Sequence, residues 1–430
     1  MTADTKTKKS NTTYKVVLPF YLYAGLAFAT ATTLLFTSSD ALRSHFFQPK
    51  LLAITHTMAL GWGTMIILGA SYQLLPVLTQ RRLYSVKLAG LSFVLAALAI
   101  PLLVYAFYTF DLGWPAITGG SGVVLAVSCY LINVFGTVGK KENIHAVFCA
   151  TAAGWLLLTT LTGLALIIDF TSPFLPKGAL AYLPLHAHIG IAGWFLGLIV
   201  GVASRLIPMF LISKYTNERL LQTIFWLLNG GLLLFLLLFF GEAELAYYAF
   251  PIACLAVALA LFGYYCYRCY HLRLRRRTDA PVRISLASVV MMLAPLFLLA
   301  AIITGSLAGS PDSRLVLVYG FFIFFGWITA IILGMTFKTL PFIVWNKTYH
   351  RRAAAAQPPN PKDLGSDQLF SVMILSWLAG LLIVLAGIGC RSHLLLRSGS
   401  AFLIATAFFY NLNIWKIIAH KPSDHERHHQ

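Results

Sequence analysis

The chain has 430 residues, of which 59% are hydrophobic and only 11% are charged, and its mean hydropathy is +0.78. Soluble domains carry about a quarter of their residues as charged side chains. The composition therefore excludes a soluble globular protein of this length and indicates an integral membrane protein. The net charge of +18 calls for no nucleic-acid partner, because a membrane protein concentrates basic residues on one side of the bilayer.

Twelve apolar stretches are long enough to cross a bilayer as helices, which takes about 20 residues each. This pattern predicts an all-α polytopic membrane protein, with residues 1–430 forming a single transmembrane domain. The predicted spans are 16–37, 51–76, 85–110, 114–137, 144–168, 182–212, 220–240, 245–268, 284–308, 314–344, 368–390 and 394–418.

One segment occurs three times, in the second, sixth and tenth predicted spans. Each copy has a Gly-Trp pair, a Gly seven residues after the Trp, and a Pro fourteen residues after it. The Trp residues are Trp62, Trp194 and Trp327. A repeat of this kind determines architecture, and it predicts three pseudo-repeated arcs of four helices at about 16–137, 144–268 and 284–418. Residues 345–367 form a predicted cytoplasmic linker.

Basic residues predict the orientation. With the N-terminus in the cytoplasm, 24 of the 32 Lys and Arg residues fall in cytoplasmic segments, six fall in outer loops, and two lie near inner helix ends. Such a bias sets the topology of membrane proteins. We therefore expect a bacterial-type inner membrane protein with many passes, both termini in the cytoplasm, and membrane lipid as its surroundings.

Five histidines lie toward the predicted outer side. His56 is in the second span, His186 and His188 are in the sixth, and His45 and His393 lie in or beside outer loops. Ionisable groups inside a bilayer are costly and usually mark function. A single such His would fit ordinary hydrogen-bonded packing, but three on two repeat-related helices favour a metal or haem site.

The spacing of His186 and His188 restricts how they can act. Residues i and i+2 of an α-helix point about 200° apart, so these two side chains cannot bind one metal ion together. They can serve two sites on opposite sides of the same helix. A haem held by two histidines needs imidazoles from two facing helices, which His56 and one of the pair can provide.

Twelve helices in three arcs, with the string His186-Ala-His188 followed by Gly193-Trp194 and Pro208, resemble subunit I of the haem–copper oxidases. The string is similar to the His-x-His helix of the cbb-type members. The resemblance implies haem b, one or two per chain, and electron transfer or reduction or handling of O2 or NO. It also implies a cytochrome c or a quinol as electron donor.

Carried over residue by residue, the resemblance implies that His56 and His188 are the axial ligands of a low-spin haem. His186 would then be the proximal ligand of a second haem. Arg391 and Arg397 stand in the region where the family binds haem propionates.

The copper site of that family has no counterpart here. Its members place a His on helix 6 and two adjacent His on helix 7, whereas the seventh span of this chain contains no His. His45 and His393 are the remaining outer-side histidines and the candidates for a copper ligand. No catalytic residue is assigned, and the question whether the chain is an enzyme stays open.

Three alternatives remain open from the sequence, and one of them is a purely structural subunit of a respiratory complex, against which the intramembrane histidines argue. The chain is similar in size and in its partial histidine set to the NnrS family, which are haem- and copper-containing membrane proteins linked to nitric-oxide stress and lack oxidase turnover. Twelve spans also suit a secondary transporter, although transporters usually repeat as six plus six helices.

Overall fold

The computed structural model describes residues 14–139, 143–349 and 358–421, and it is all-helical in these parts. Twelve of the described helices are long and apolar enough to cross a membrane, which confirms the predicted polytopic class. They are α1 (Tyr14–Thr37), α2 (Pro49–Thr79), α3 (Val86–Thr109), α4 (Trp114–Thr137), α5 (Ile144–Thr171), α6 (Ala179–Leu211), α7 (Glu218–Phe240), α8 (Leu245–His271), α9 (Ala280–Leu307), α10 (Ser313–Tyr349), α11 (Asp367–Cys390) and α12 (His393–Ile418).

The linker between α10 and α11 is shorter than predicted. Helix α10 continues to Tyr349, five residues beyond the predicted end of the span, because Lys347 and its neighbours extend the helix past the apolar stretch. A short 3₁₀ turn, Pro361–Leu364, precedes α11. Residues 350–357 of the predicted linker lie outside the described residues.

The three repeated segments share a local distortion. Each of α2, α6 and α10 changes from α-helical to π-helical turns at its Gly-Trp pair, over Thr57–Thr64, Ile189–Leu196 and Phe322–Ile328. A π-helical stretch inserts an extra residue into a helical turn and often marks a functional site.

Two ends of the bundle can be named from these helices. The histidine end is where α2, α6 and α10 begin, and the proline end is where they finish beyond Pro76, Pro208 and Pro341.

Hydrogen bonds between the repeats join these three helices at their π-helical turns. The indole N–H of Trp194 in α6 donates to Thr64 Oγ1 in α2 at 3.0 Å. The indole N–H of Trp62 in α2 donates to Thr329 Oγ1 in α10 at 3.2 Å. In both cases the acceptor lies two residues after the Trp of its own repeat, so the contacts are equivalent and run head to tail around the three helices.

The third contact of this ring is missing. The symmetry requires Trp327 of α10 to donate to the residue two positions after Trp194, and that residue is Leu196, which has no acceptor. The indole nitrogen of Trp327 is buried without a hydrogen-bond partner. The α10–α6 interface is therefore the one of the three without this hydrogen bond.

Glycines of the repeat serve helix packing. A Cβ on Gly69 would lie under 3.0 Å from Phe20 of α1, and a Cβ on Gly201 would lie equally close to Phe148 of α5. Gly334 is in the same relation to Ser285 of α9. Each central helix therefore packs its repeat glycine against the first helix of its own arc, as small residues permit in membranes.

Helix α9 is divided. Its helical turns are interrupted at Met292 between Ala280–Met291 and Leu293–Leu307, and Pro295 follows at the start of the second half. Proline removes a helical hydrogen bond and disturbs the preceding turn. Pro295 is the one buried residue of Leu293–Leu307, so most of this half-helix faces outward from the bundle.

An ion-pair group ties α9 to α10 at the proline end. Lys338 of α10 bonds Asp279 Oδ2, just before α9 begins, and Arg275 lies 2.7 Å from Asp279 Oδ1. Partial burial acts to raise the pKa of Asp279, but the nearby charges of Lys338, Arg275 and Lys362 outweigh it and hold the pKa below its ordinary value. The carboxylate therefore stays ionised and anchors the start of α9.

Replacing Thr64 by Val tests the interrepeat hydrogen bond. The change keeps the shape but leaves the Trp194 N–H buried without an acceptor, which we expect to lower the free energy of unfolding by about 1–2 kcal/mol. The measurement is denaturant or thermal unfolding in detergent micelles. Thr406→Val is the matched control, because the Thr406 hydroxyl bonds only the backbone of its own helix. Equal stabilities of the two variants would contradict the role given to the ring.

The Asp279 group should give a pH-dependent contribution to stability. Because the folded-state pKa of Asp279 is depressed, its contribution is present above the unfolded pKa and is lost as the pH falls through the folded pKa. We expect Asp279→Asn to melt at a lower temperature than the parent at pH 7 and at the same temperature once the Asp279 carboxyl of the parent is protonated. A difference that persists after this protonation would show that the effect is not ionic.

Candidate functional site

The three intramembrane histidines lie just before the π-helical segments of α2 and α6. His56 directly precedes Thr57–Thr64 of α2, and His188 directly precedes Ile189–Leu196 of α6. They are equivalent positions of the repeat, and Phe321 takes the same place in α10. His186 lies two residues before His188, so its ring leaves α6 on another side.

A backbone carbonyl holds one nitrogen of each imidazole. His56 Nδ1 lies 2.8 Å from the carbonyl oxygen of Leu52, and His188 Nδ1 lies 2.7 Å from that of Pro184. His186 Nδ1 lies 3.0 Å from the carbonyl oxygen of Thr159 in α5. A carbonyl only accepts hydrogen bonds, so each Nδ1 carries the proton and each Nε2 keeps its lone pair. This is the tautomer that a metal-binding histidine needs.

His56 and His186 face each other between α2 and α6. Their ring centroids are 6.3 Å apart and their planes differ by 18°. The sequence resemblance paired His56 with His188 instead, and the structure does not bring those two together. The reason is geometric, because the interfaces in a head-to-tail ring join different faces of neighbouring helices, so equivalent residues such as His56 and His188 do not meet.

His188 faces Tyr319 of α10 in the same manner. Their ring centroids are 6.2 Å apart and their planes differ by 30°. Tyr319 is the repeat equivalent of His186, and His188 is the equivalent of His56, so this pair is the pseudo-symmetric copy of the first. The Nε2 atom of His188 is buried and has no hydrogen-bond partner in the described structure.

One cavity of about 880 Å³ reaches all three histidines. On one side of α6 it is lined by His56, His186, Leu103, Phe107 and Gly163, which we call the His56–His186 compartment. On the other side it is lined by helices α7 to α10, including His188, Phe235, Tyr248, Ile303 and Tyr319, which we call the His188–Tyr319 compartment.

The cavity wall is apolar. Among the residues that the structure describes, none of the lining side chains is charged, and the polar ones are Thr55, His56, Thr64, Thr159, Thr160, His186, His188, Trp194, Tyr248, Ser306 and Tyr319. An uncharged, mostly apolar pocket with a few convergent polar groups is typical of a site for a cofactor or a small molecule. A dication without compensating carboxylates would be costly in such a wall.

The two arginines predicted to bind propionates do not line the cavity. Arg391 is exposed at the end of α11 in a left-handed backbone conformation, with φ of 50°. The guanidinium of Arg397 lies over the ring of Phe36, 5.0 Å from its centroid. Both residues are at the histidine end, but neither lines the space between the imidazoles.

The two candidate copper histidines also lie outside the cavity lining. His393 Nε2 is 3.5 Å from Asp40 Oδ2, and the ring of His45 lies against Phe46. In the described parts of the chain, no group of three or more His, Cys, Asp or Glu residues could hold a metal ion. Copper therefore stays a prediction without a donor set, whereas a haem needs only one or two protein ligands.

Two features of the site were not predicted. The first is the backing of His186 by Thr159 and Gly163 of α5, since a Cβ on Gly163 would lie 2.8 Å from His186 Cε1. The second is Tyr319, to which the sequence analysis assigned no role. The repeat register itself carried the signal, because it assigns Tyr319 to the place of His186.

No protein-family model matches the chain, and no curated protein matches it. Its function is therefore argued from the site.

Proposed function

We propose that the chain is a haem-binding membrane protein in which His56 and His186 are the two axial ligands of one haem b. The observation that carries the proposal is the pair of facing imidazoles, each with Nδ1 bonded to a backbone carbonyl and Nε2 left with a lone pair. A haem would supply a one-electron iron couple at this place.

The residues present fit such a group. Two metal–nitrogen bonds of about 2 Å, with about 1 Å from each nitrogen to its ring centre, span about 6 Å, which is compatible with the observed 6.3 Å. The cavity also lies within the range of about 300–1,000 Å³ that suits cofactor-sized ligands. Because no lining side chain is charged, the haem carboxylates would have to reach toward the membrane surface.

The surrounding residues position the ligands. The carbonyls of Leu52 and Thr159 fix the tautomer of His56 and His186, and Gly163 leaves room for the His186 ring. The apolar wall excludes water and thereby tunes the redox potential.

Electron transfer is the activity that this pair supports best. A haem held by both His56 and His186 would supply electron transfer rather than binding of O2 or NO, because both histidines would be used as its protein ligands. A cytochrome c or a quinol remains the proposed donor, and placement in a bacterial-type inner membrane with cytoplasmic termini remains part of the proposal. A transporter is less well supported, because the wall carries no charged side chain to bind a coupling ion.

Histidine variants test the axial pair. Purified from a haem-replete host, the protein should show a low-spin b-type reduced-minus-oxidised spectrum with a pyridine haemochrome. We expect His56→Ala and His186→Ala each to abolish it, and His45→Ala and His393→Ala to leave it unchanged. Absence of haem in the parent would refute the proposal. Loss of the low-spin signal in His188→Ala but not in His186→Ala would instead support the pairing that the sequence resemblance implies.

Two glycines of α5 give a matched test of the support behind His186. A Cβ on Gly163 would press on the His186 ring, whereas a Cβ on Gly154 meets nothing within 4 Å. We expect Gly163→Ala to weaken haem binding about 10-fold, as displaced supporting groups commonly do, and to mix high-spin signal into the spectrum. Gly154→Ala should match the parent in both haem titration and spin state. Equal behaviour of the two variants would show that Gly163 does not position the ligand.

A further inference from the structure

The His188–Tyr319 pair differs chemically from its pseudo-symmetric copy. In the first pair, each of the two imidazoles keeps a lone pair on its Nε2 atom. In the second, His188 Nε2 offers a lone pair, but the opposite ring belongs to Tyr319, whose protonated hydroxyl both donates and accepts hydrogen bonds. This combination is complementary to one hydroxyl group of a ligand, which would donate to Nε2 and accept from the phenol.

The Nε2 atom of His188 lacks a hydrogen-bond donor. Its Nδ1 proton goes to the carbonyl of Pro184 at 2.7 Å, and its Nε2 atom is buried without a partner. A buried acceptor left unpaired is destabilising, and natural structures usually provide a partner from protein, water or ligand. The ring of Phe235, 5.6 Å away centroid to centroid, cannot be that partner.

The side chains that line this compartment indicate the charge and the apolar character of the rest of the ligand. The lining has no charged side chain, so a neutral molecule is favoured over an ion. The rings of Phe235, Phe239, Tyr248 and Phe324 line it, and such side chains pack well against an aromatic ring.

The second half of α9 forms part of the membrane-facing wall of the compartment. Leu299, Ile302, Ile303 and Ser306 of the second half of α9 line the cavity, and this half-helix buries only Pro295. Because this wall is apolar and faces the hydrocarbon, a ligand dissolved in the lipid is favoured over one dissolved in water.

The α10–α6 interface, which carries the pair, also lacks the indole-to-threonine bond. Trp327 has no acceptor because Leu196 stands where the other two interfaces have Thr329 and Thr64. Of the three central interfaces, this one is therefore the least restrained at its π-helical turns.

We propose that the His188–Tyr319 compartment is a second binding site, which takes a neutral, membrane-dissolved phenol and holds its hydroxyl between His188 Nε2 and the Tyr319 hydroxyl. The proposal does not require haem at the first pair, and the two fail independently.

A matched pair of ligands isolates the hydroxyl. We would titrate the full chain in nanodiscs with 4-decylphenol and with 4-decylanisole, which has the same shape but no O–H donor, and count bound copies by native mass spectrometry against protein-free nanodiscs. The expected result is one phenol per chain, bound at least about 10-fold more tightly than the anisole. Equal binding of the two ligands would overturn the proposal.

Variants assign the site. His188→Leu should bind the two ligands equally and melt no lower than the parent, since it removes an unpaired buried nitrogen. Tyr319→Phe should reduce the preference for phenol in part. A phenol preference that survives His188→Leu would overturn the proposal. So would a second haem in the parent that His188→Leu removes, because it would make His188 an iron ligand.

The α10–α6 interface is tested separately at Leu196. Leu196→Thr supplies the missing acceptor for Trp327, so we expect a higher melting temperature and phenol association slowed several-fold. Leu196→Val is the control, because it shortens the side chain without adding an acceptor, and it should not slow association. Faster or unchanged association in Leu196→Thr, together with the higher melting temperature, would refute a role of the less restrained α10–α6 interface in phenol binding.

Discussion

Two indole-to-threonine hydrogen bonds hold the three central helices together at the level where their turns widen. Trp194 bonds Thr64, and Trp62 bonds Thr329, each across a different interface. In a bilayer the hydrophobic effect does not drive helix association, so packing and such bonds must define the arrangement. These contacts fix both the rotation and the vertical register of α2, α6 and α10, and every other feature of the site follows from that register.

The head-to-tail order of the contacts decides which histidines meet. A given face of one central helix always packs on a different face of the next. His56 of α2 therefore meets the α6 residue that corresponds, in the repeat, to Ile54 of α2. That residue is His186. By the same rule, His188 of α6 meets Tyr319 of α10. One geometric rule thus produces two sites, and two side chains give them different chemistry. The first site offers two nitrogen ligands and the second offers an acceptor beside a phenol.

Much of the fold could be predicted from the sequence because it depends on composition and period. The twelve spans follow from hydropathy, and the importance of α2, α6 and α10 follows from the repeat. The pairing of His56 could not be predicted in the same way, since it depends on helix rotation, which the π-helical turns alter and which hydropathy does not record. The positions of Arg391 and Arg397 depend on how α11 ends and on the contact with Phe36, both of which are set by tertiary structure.

The same register defines a third interface, between α2 and α10. At this interface Ile54 stands at the repeat position of His186 and Tyr319, and Phe321 stands at that of His56 and His188. Both residues are apolar, so this interface offers no ligand atom. The scaffold is in this sense a threefold template with six variable positions, and the identities at those positions decide which donor and acceptor atoms each interface presents. One or two substitutions there would therefore change the chemistry of an interface while the helices stay where they are.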